Sequence, residues 1–147
     1  MKEVNVGICG LGTVGGGTFN VLERNAKLIT GRTGFNIRVA RVATRTPRTD
    51  IDLGEIPFST DVFDVVNDPS VDVLVELIGG FDTARELVLA AIENGKHVVT
   101  ANKALIAVHG NEIFAAAAKK NVIVAYESGV AGGIPVIKAV REGLAAN

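Results

Sequence analysis

Short apolar runs alternate along this chain with segments whose apolar residues recur at helical spacing. Val4 to Cys9 is an apolar run ending at a glycine and predicts a buried strand. From Thr13 to about Leu28, Val14, Phe19, Val21, Leu22 and Ala26 fall at helical spacing, and Thr30-Gly31-Arg32-Thr33-Gly34 is expected to break that helix. Phe35 to Ala43, rich in β-branched and small apolar residues, predicts a second strand, and Thr44 to Pro57 reads mainly as loop. Asp61 to Asn67 predicts a short helix closed by Asp68-Pro69. Val71 to Ile78 predicts a third strand ended by Gly79-Gly80, followed by a helix from Thr83 to Glu93 that stops at Asn94-Gly95. His97 to Thr100 is the fourth expected strand, Asn111 to Lys120 an alanine-rich helix, and Val122 to Tyr126 the fifth strand. A glycine-rich turn, 129–135, then leads into a last helix. Alternating strands and helices predict an α/β fold: a doubly wound parallel sheet of right-handed βαβ units.

Composition narrows this picture. The 147 residues suit one domain, and neither repeat nor linker divides them. With aromatics at 5% and no Trp, the core must be aliphatic, which suits parallel strands covered on both faces. A net charge of −1 gives no argument for nucleic acid or an acidic membrane, and no basic, aromatic surface supports the former. Charge is nonetheless uneven: Arg24, Lys27, Arg32, Arg38, Arg41, Arg45 and Arg48 lie between Glu23 and Asp50 with no acidic residue among them. Such a stretch is either a solvated basic face or part of an anion site. Cys9 is the single cysteine, so no intrachain disulfide forms, and it reads as a small core residue. No signal-peptide pattern and no apolar run of about 20 residues are present, and the expected location is cytoplasmic.

Candidate chemistry falls in the loops. Gly10-Leu11-Gly12-Thr13-Val14-Gly15 is Gly-x-Gly-x-x-Gly between a strand and a helix. Gly10 allows the tight turn, Gly12 the approach of a pyrophosphate, and Gly15 close packing of helix on strand. Backbone N–H groups at the helix start, including those of Thr13 and Val14, would hold the phosphates. NAD-selective sites usually end the second strand with a carboxylate that binds the ribose 2′-OH. Here the strand runs into Thr44-Arg45, and Arg45, with Arg48 as a second candidate, suits a 2′-phosphate instead. NADP(H) is therefore expected over NAD(H), the plainer reading being two exposed loop arginines. Gly79 and Gly80 end the third strand on the ligand-binding edge, near the nicotinamide half. Glu76 inside that strand is expected to be hydrogen-bonded and structural. Thr100 and Lys103 follow at the same edge and complete the cofactor set. An ammonium there can orient a carbonyl or carboxylate substrate or move a proton, though by spacing alone Lys103 is as well read as exposed. His97 and His109 lack metal spacing and read as structural. The 127–135 segment reads equally as a cation site, through the Glu127 carboxylate and glycine-rich carbonyls, or as a turn with Pro135 opening a helix.

Gly-Leu-Gly-Thr-Val-Gly (10–15), Glu-Leu-Ile-Gly-Gly (76–80), Val-Val-Thr-Ala-Asn-Lys-Ala-Leu (98–105) and Val-Ala-Gly-Gly-Ile-Pro (130–135) together resemble homoserine dehydrogenases, in that family's order. The resemblance implies reversible reduction of aspartate 4-semialdehyde to homoserine with NAD(P)H, in threonine, methionine and isoleucine biosynthesis. It places Lys103 in the active site beside the nicotinamide. It also implies a sodium site built from the Glu127 side chain and the carbonyls of Val130, Gly132 and Ile134, with Ser128-Gly129 standing where Ala-Ser or Ala-Thr is more usual. Members of the family continue into a substrate-binding and dimerisation domain, so this chain is expected to be the nucleotide-binding portion, inactive alone, of a homo-oligomer. Two alternatives remain: a related reductase on the same fold, and a non-catalytic NADP(H) sensor. Aspartate-semialdehyde dehydrogenase is disfavoured, because Cys9 is misplaced for its nucleophile.

Overall fold

All the expected apolar runs become strands of one parallel sheet. A computed structural model describes residues 2–45 and 49–126, with backbone only at Thr13, Val14, Gly15 and Ile29. The elements are β1 (Lys2–Cys9), α1 (Thr13–Arg24), α2 (Ala26–Thr33), β2 (Phe35–Ala43), β3 (Phe58–Ser59), α3 (Phe63–Val66), β4 (Val73–Glu76), α4 (Asp82–Glu93), β5 (His97–Thr100), α5 (Lys103–Lys120) and β6 (Val124–Tyr126). The strand order is β3-β2-β1-β4-β5-β6, with every pairing parallel. Strand order reverses at β1, which lies between β2 and β4. A ligand crevice belongs at the carboxyl end of that switch point.

Both faces of the sheet are covered, which is why its strands tolerate unbroken apolar runs. On one face Val6, Ile8, Val73 and Val75 pack with Phe19 and Leu22 of α1. On the other, Leu74 and Val98 pack with Leu87 and Ala91 of α4 and with Leu105 and Ile113 of α5.

Four departures from the sequence reading change an element and do not merely trim its ends. The first expected helix is two: α1 stops at Asn25, whose backbone N–H and side-chain Nδ2 both donate to the Val21 carbonyl at 3.0 and 3.1 Å. The expected breaker lies inside α2, where Thr30 Oγ1 satisfies itself on the Ala26 carbonyl at 2.9 Å. Gly31 costs a helix only about 1 kcal/mol, and the true stop is Gly34, with φ 76°. β3 was not anticipated. It is two residues long, bracketed by Val42 N–H to the Pro57 carbonyl at 3.1 Å and Thr44 N–H to the Ser59 carbonyl at 3.0 Å. Finally, α5 begins at Lys103 and not at Asn111, capped by Asn102. The expected turn at 129–135 and the last helix lie outside the described residues.

The amino end of the sheet holds two buried basic groups. Lys96 Nζ donates to the carbonyls of Asp68 and Val71 at 2.7 and 2.8 Å. Burial lowers the pKa of its ammonium, while Asp68 and Asp72 pull it back up. Beside it, His97 Nδ1 accepts the Ile123 N–H at 3.0 Å. The neutral ring is thus the form that fits, and His97 is structural, as its spacing suggested. Burial holds the imidazole below its ordinary range, and the Asp72 carboxylate opposes this only in part. The folded state therefore binds fewer protons than the unfolded chain below about pH 6.5, the free histidine value. This contribution to stability is present above that pH and is lost as pH falls through the depressed native value. We expect the melting temperature to drop by a few degrees between about pH 7.5 and 5.5. The drop should be smaller in His97→Gln, whose amide oxygen can still accept from Ile123; equal drops in both proteins would refute the assignment.

Candidate functional site

β1 delivers its carboxyl end between its two neighbours. Gly10 N–H donates to the Ala43 carbonyl of β2 at 2.8 Å, and Leu77 N–H donates to the Cys9 carbonyl at 2.9 Å. Gly10 turns the chain with φ 102°, and a Cβ placed on it would lie 2.8 Å from the Leu77 carbonyl oxygen. No other residue fits that turn without moving backbone. Gly12, the residue before α1, is different: a Cβ there would meet nothing within 4 Å. Among the described residues that space is open. No acidic residue occupies the first turn of α1. Its N-terminus thus presents backbone N–H groups and a positive dipole end without a competing carboxylate.

A cavity of about 540 Å³ spans this edge, lined by Gly10 and Gly12, by Thr44 and Arg45 beyond β2, and by Gly79 and Gly80 beyond β4. The exposed Arg45 stands at its β2 end. A second cavity of about 250 Å³ adjoins it across Leu77 and Gly79, with Ala101, Asn102 and Lys103 on its far side. Lys103 opens α5 and is exposed.

Between the two cavities runs a hydrogen-bonded chain rooted in the core. Glu76 is fully buried. Its Oε1 accepts the Ile78 N–H at 3.0 Å, and its Oε2 accepts the Thr100 hydroxyl at 2.6 Å. Thr100 Oγ1 in turn accepts the Asn102 N–H at 3.0 Å. Asn102 Oδ1 accepts the Leu105 N–H at 2.9 Å, and its Nδ2 donates to the Gly80 carbonyl at 2.5 Å. Glu76 is therefore the hydrogen-bonded structural carboxylate anticipated for it. Asn102 was missed, although an asparagine just before a helical apolar pattern is an N-cap signal.

The structure thus brings Gly10, Gly12, Arg45, Gly79, Gly80, Thr100 and Lys103 to one edge, with the backbone of Thr13, Val14 and Gly15 in the first turn of α1. Arg48 and the expected cation ligands Glu127, Val130, Gly132 and Ile134 lie outside the described residues. Among the described residues, no group of three or more His, Cys, Asp or Glu side chains is placed to hold a metal. His109 faces Glu112 at 4.0 Å on the surface of α5. Burial, and then the nearby Glu76 carboxylate, push the Cys9 thiol far above its ordinary pKa, which makes it an inert core residue. No described helix is long and apolar enough to cross a membrane.

Residues 10–127 match the family model described as "Homoserine dehydrogenase, NAD binding domain". The chain belongs to the homoserine dehydrogenase family. The homoserine dehydrogenase of Pseudomonas aeruginosa is 69% identical over 147 residues, all of this chain and 34% of that protein. That of Neisseria gonorrhoeae is 54% identical, with the same coverage of each. The crystal structure of a homoserine dehydrogenase from Thiobacillus denitrificans superposes with a TM-score of 0.79 at 59% identity, covering 100% of this chain and 34% of that one. The chain thus spans about a third of the length of the homoserine dehydrogenases it matches. It is a Rossmann-type NAD-binding domain, and its ligand is a nicotinamide cofactor. The residues at the edge fit that ligand: an open approach at Gly12, a helix N-terminus for the pyrophosphate, and a groove that continues past Gly80.

Proposed function

We propose that this chain is the NADP(H)-binding portion of a homoserine dehydrogenase, which interconverts aspartate 4-semialdehyde and homoserine in threonine, methionine and isoleucine biosynthesis. The observation that carries the reading is the continuity of the edge, from Arg45 past Gly10 and Gly12 to Gly79, Gly80 and the Lys103 cavity. In it the pyrophosphate sits on the first turn of α1, held by the N–H groups around Thr13 and Val14, with Gly15 behind them. The 2′-phosphate pairs with Arg45, and the nicotinamide lies beyond Gly79-Gly80, near Thr100. When bound, the reduced cofactor supplies the hydride that the aldehyde carbon accepts. Lys103 orients the carbonyl oxygen and stabilises the negative charge that develops there, or delivers the proton that converts it to a hydroxyl.

The remaining substrate contacts belong to a substrate-binding and dimerisation domain in the longer, homo-oligomeric, cytoplasmic enzyme. Turnover is accordingly expected of that enzyme and not of these 147 residues. In the same reading, the Glu127 carboxylate and the carbonyls of Val130, Gly132 and Ile134 hold a sodium ion.

Cofactor choice is the part of this reading tested on the chain itself. Arg45→Ala should weaken NADPH binding about tenfold, the scale of one charge-assisted hydrogen bond at an exposed site, and leave NADH unchanged. Calorimetric titration with both cofactors measures this. If NADPH weakens no more than NADH, Arg45 does not read the 2′-phosphate.

A further inference from the structure

The turn after β4 is thinly supported by its own packing. Gly79 and Gly80 have φ of 73° and 76°, and a Cβ on either would meet nothing within 4 Å. The neighbouring Phe81 side chain is exposed. Yet this turn is a wall of the large cavity, and at Gly79 also of the one containing Lys103. Where the turn sits therefore sets the separation between the nicotinamide end of the groove and the first turn of α5. Asn102 reaches it, donating Nδ2 to the Gly80 carbonyl at 2.5 Å while Oδ1 caps α5 through Leu105 N–H at 2.9 Å.

We propose that Asn102 is a positioning residue, clamping the Gly79-Gly80 turn to the start of α5 so that the nicotinamide end of the cofactor is held in register with Lys103. The inference rests on the cofactor placement proposed above. An amide is what this post requires. Aspartate would cap α5 as asparagine does but has no donor, and serine or threonine would cap it with one shorter hydroxyl, whereas the amide accepts from Leu105 on one atom and donates to Gly80 from another. The backbone of Asn102 is itself anchored, through Thr100, to the fully buried Glu76. The clamp is thus tied to the core at one end and to the wall of the groove at the other.

Asn102→Ser separates the two roles: its single hydroxyl keeps the cap, but it lacks the amide nitrogen that extends to Gly80. The purified chain is titrated with NADPH and with 2′-phospho-ADP-ribose, which carries the adenosine and pyrophosphate half but no nicotinamide. We expect NADPH to weaken about tenfold, the scale of one lost hydrogen bond, with 2′-phospho-ADP-ribose unchanged. Asn102→Asp, which caps and has no donor at all, should show the same split. Equal losses for both ligands would mean that Asn102 merely supports the fold, and no loss for either would mean that the clamp does nothing; each overturns the proposal. A wild-type chain that bound 2′-phospho-ADP-ribose as tightly as NADPH would overturn the nicotinamide placement itself, and the clamp with it.

Discussion

Gly10→Ala should destabilise the chain and weaken NADPH binding, whereas Gly12→Ala should weaken binding alone. At Gly10 the backbone is at φ 102°, and the added methyl would approach the Leu77 carbonyl oxygen to 2.8 Å. None of the atoms it would meet is a side-chain tip that can rotate away: they are backbone atoms of Leu77 and Ile78, in the segment leaving β4, where the Leu77 N–H is bonded to the Cys9 carbonyl. Positive φ and a backbone clash together should cost about 2–4 kcal/mol, lowering the melting temperature by about 10 °C. At Gly12 the backbone has φ −70° and ψ −161°, which any residue adopts, and among the described residues beyond its chain neighbours the methyl would meet no atom within 4 Å. The alanine variant should therefore melt within about 1 °C of the parent yet bind NADPH at least about tenfold more weakly, because the methyl fills space meant for the pyrophosphate. Thermal melts and cofactor titrations on the two variants decide the matter. Similar stability losses at both positions would show that Gly12 also serves packing.

The second large effect concerns turnover. In the longer enzyme, Lys103→Met should reduce homoserine oxidation about 10²- to 10⁴-fold, the usual range for loss of a positioned acid–base group, with NADPH affinity changed less than about threefold. Methionine keeps the length of the stem and removes the charge. The side chain is exposed at the first position of α5, so the substitution should leave melting unchanged. Steady-state rates beside a cofactor titration test this. Turnover within about tenfold of the parent would remove Lys103 from the chemistry.

Much of the architecture was legible because burial on both faces leaves a plain mark. Val4 to Cys9, Phe35 to Ala43 and His97 to Thr100 are apolar runs between turn residues, and each became the strand expected. Boundaries were less legible where a local signal was overruled. Thr30-Gly31 looks like a break, yet α2 packs beside β2, and that contact outweighs one glycine. β3 is too short to have any periodicity, and its pairing with β2 is a tertiary event that no window along the chain can reveal. The site divides in the same way. The glycine loop announces itself by spacing, whereas Lys103 stood out only through the resemblance of its Thr-Ala-Asn-Lys segment to the family. The chain of bonds from Glu76 through Thr100 to Asn102 depends on β4 and β5 lying side by side, with Glu76 opposite Thr100 in register. Only the fold discloses that.

The brevity of β3 has a consequence for colloidal behaviour. A sheet edge offers unpaired amides on which a strand from another molecule can add, and natural proteins blunt such edges by shortening them. Phe58–Ser59 offers two residues at this border, too few to nucleate intermolecular pairing. Extending β3 with β-branched residues, as a designer might to stabilise the sheet, would therefore favour strand addition between molecules and fibril-like association.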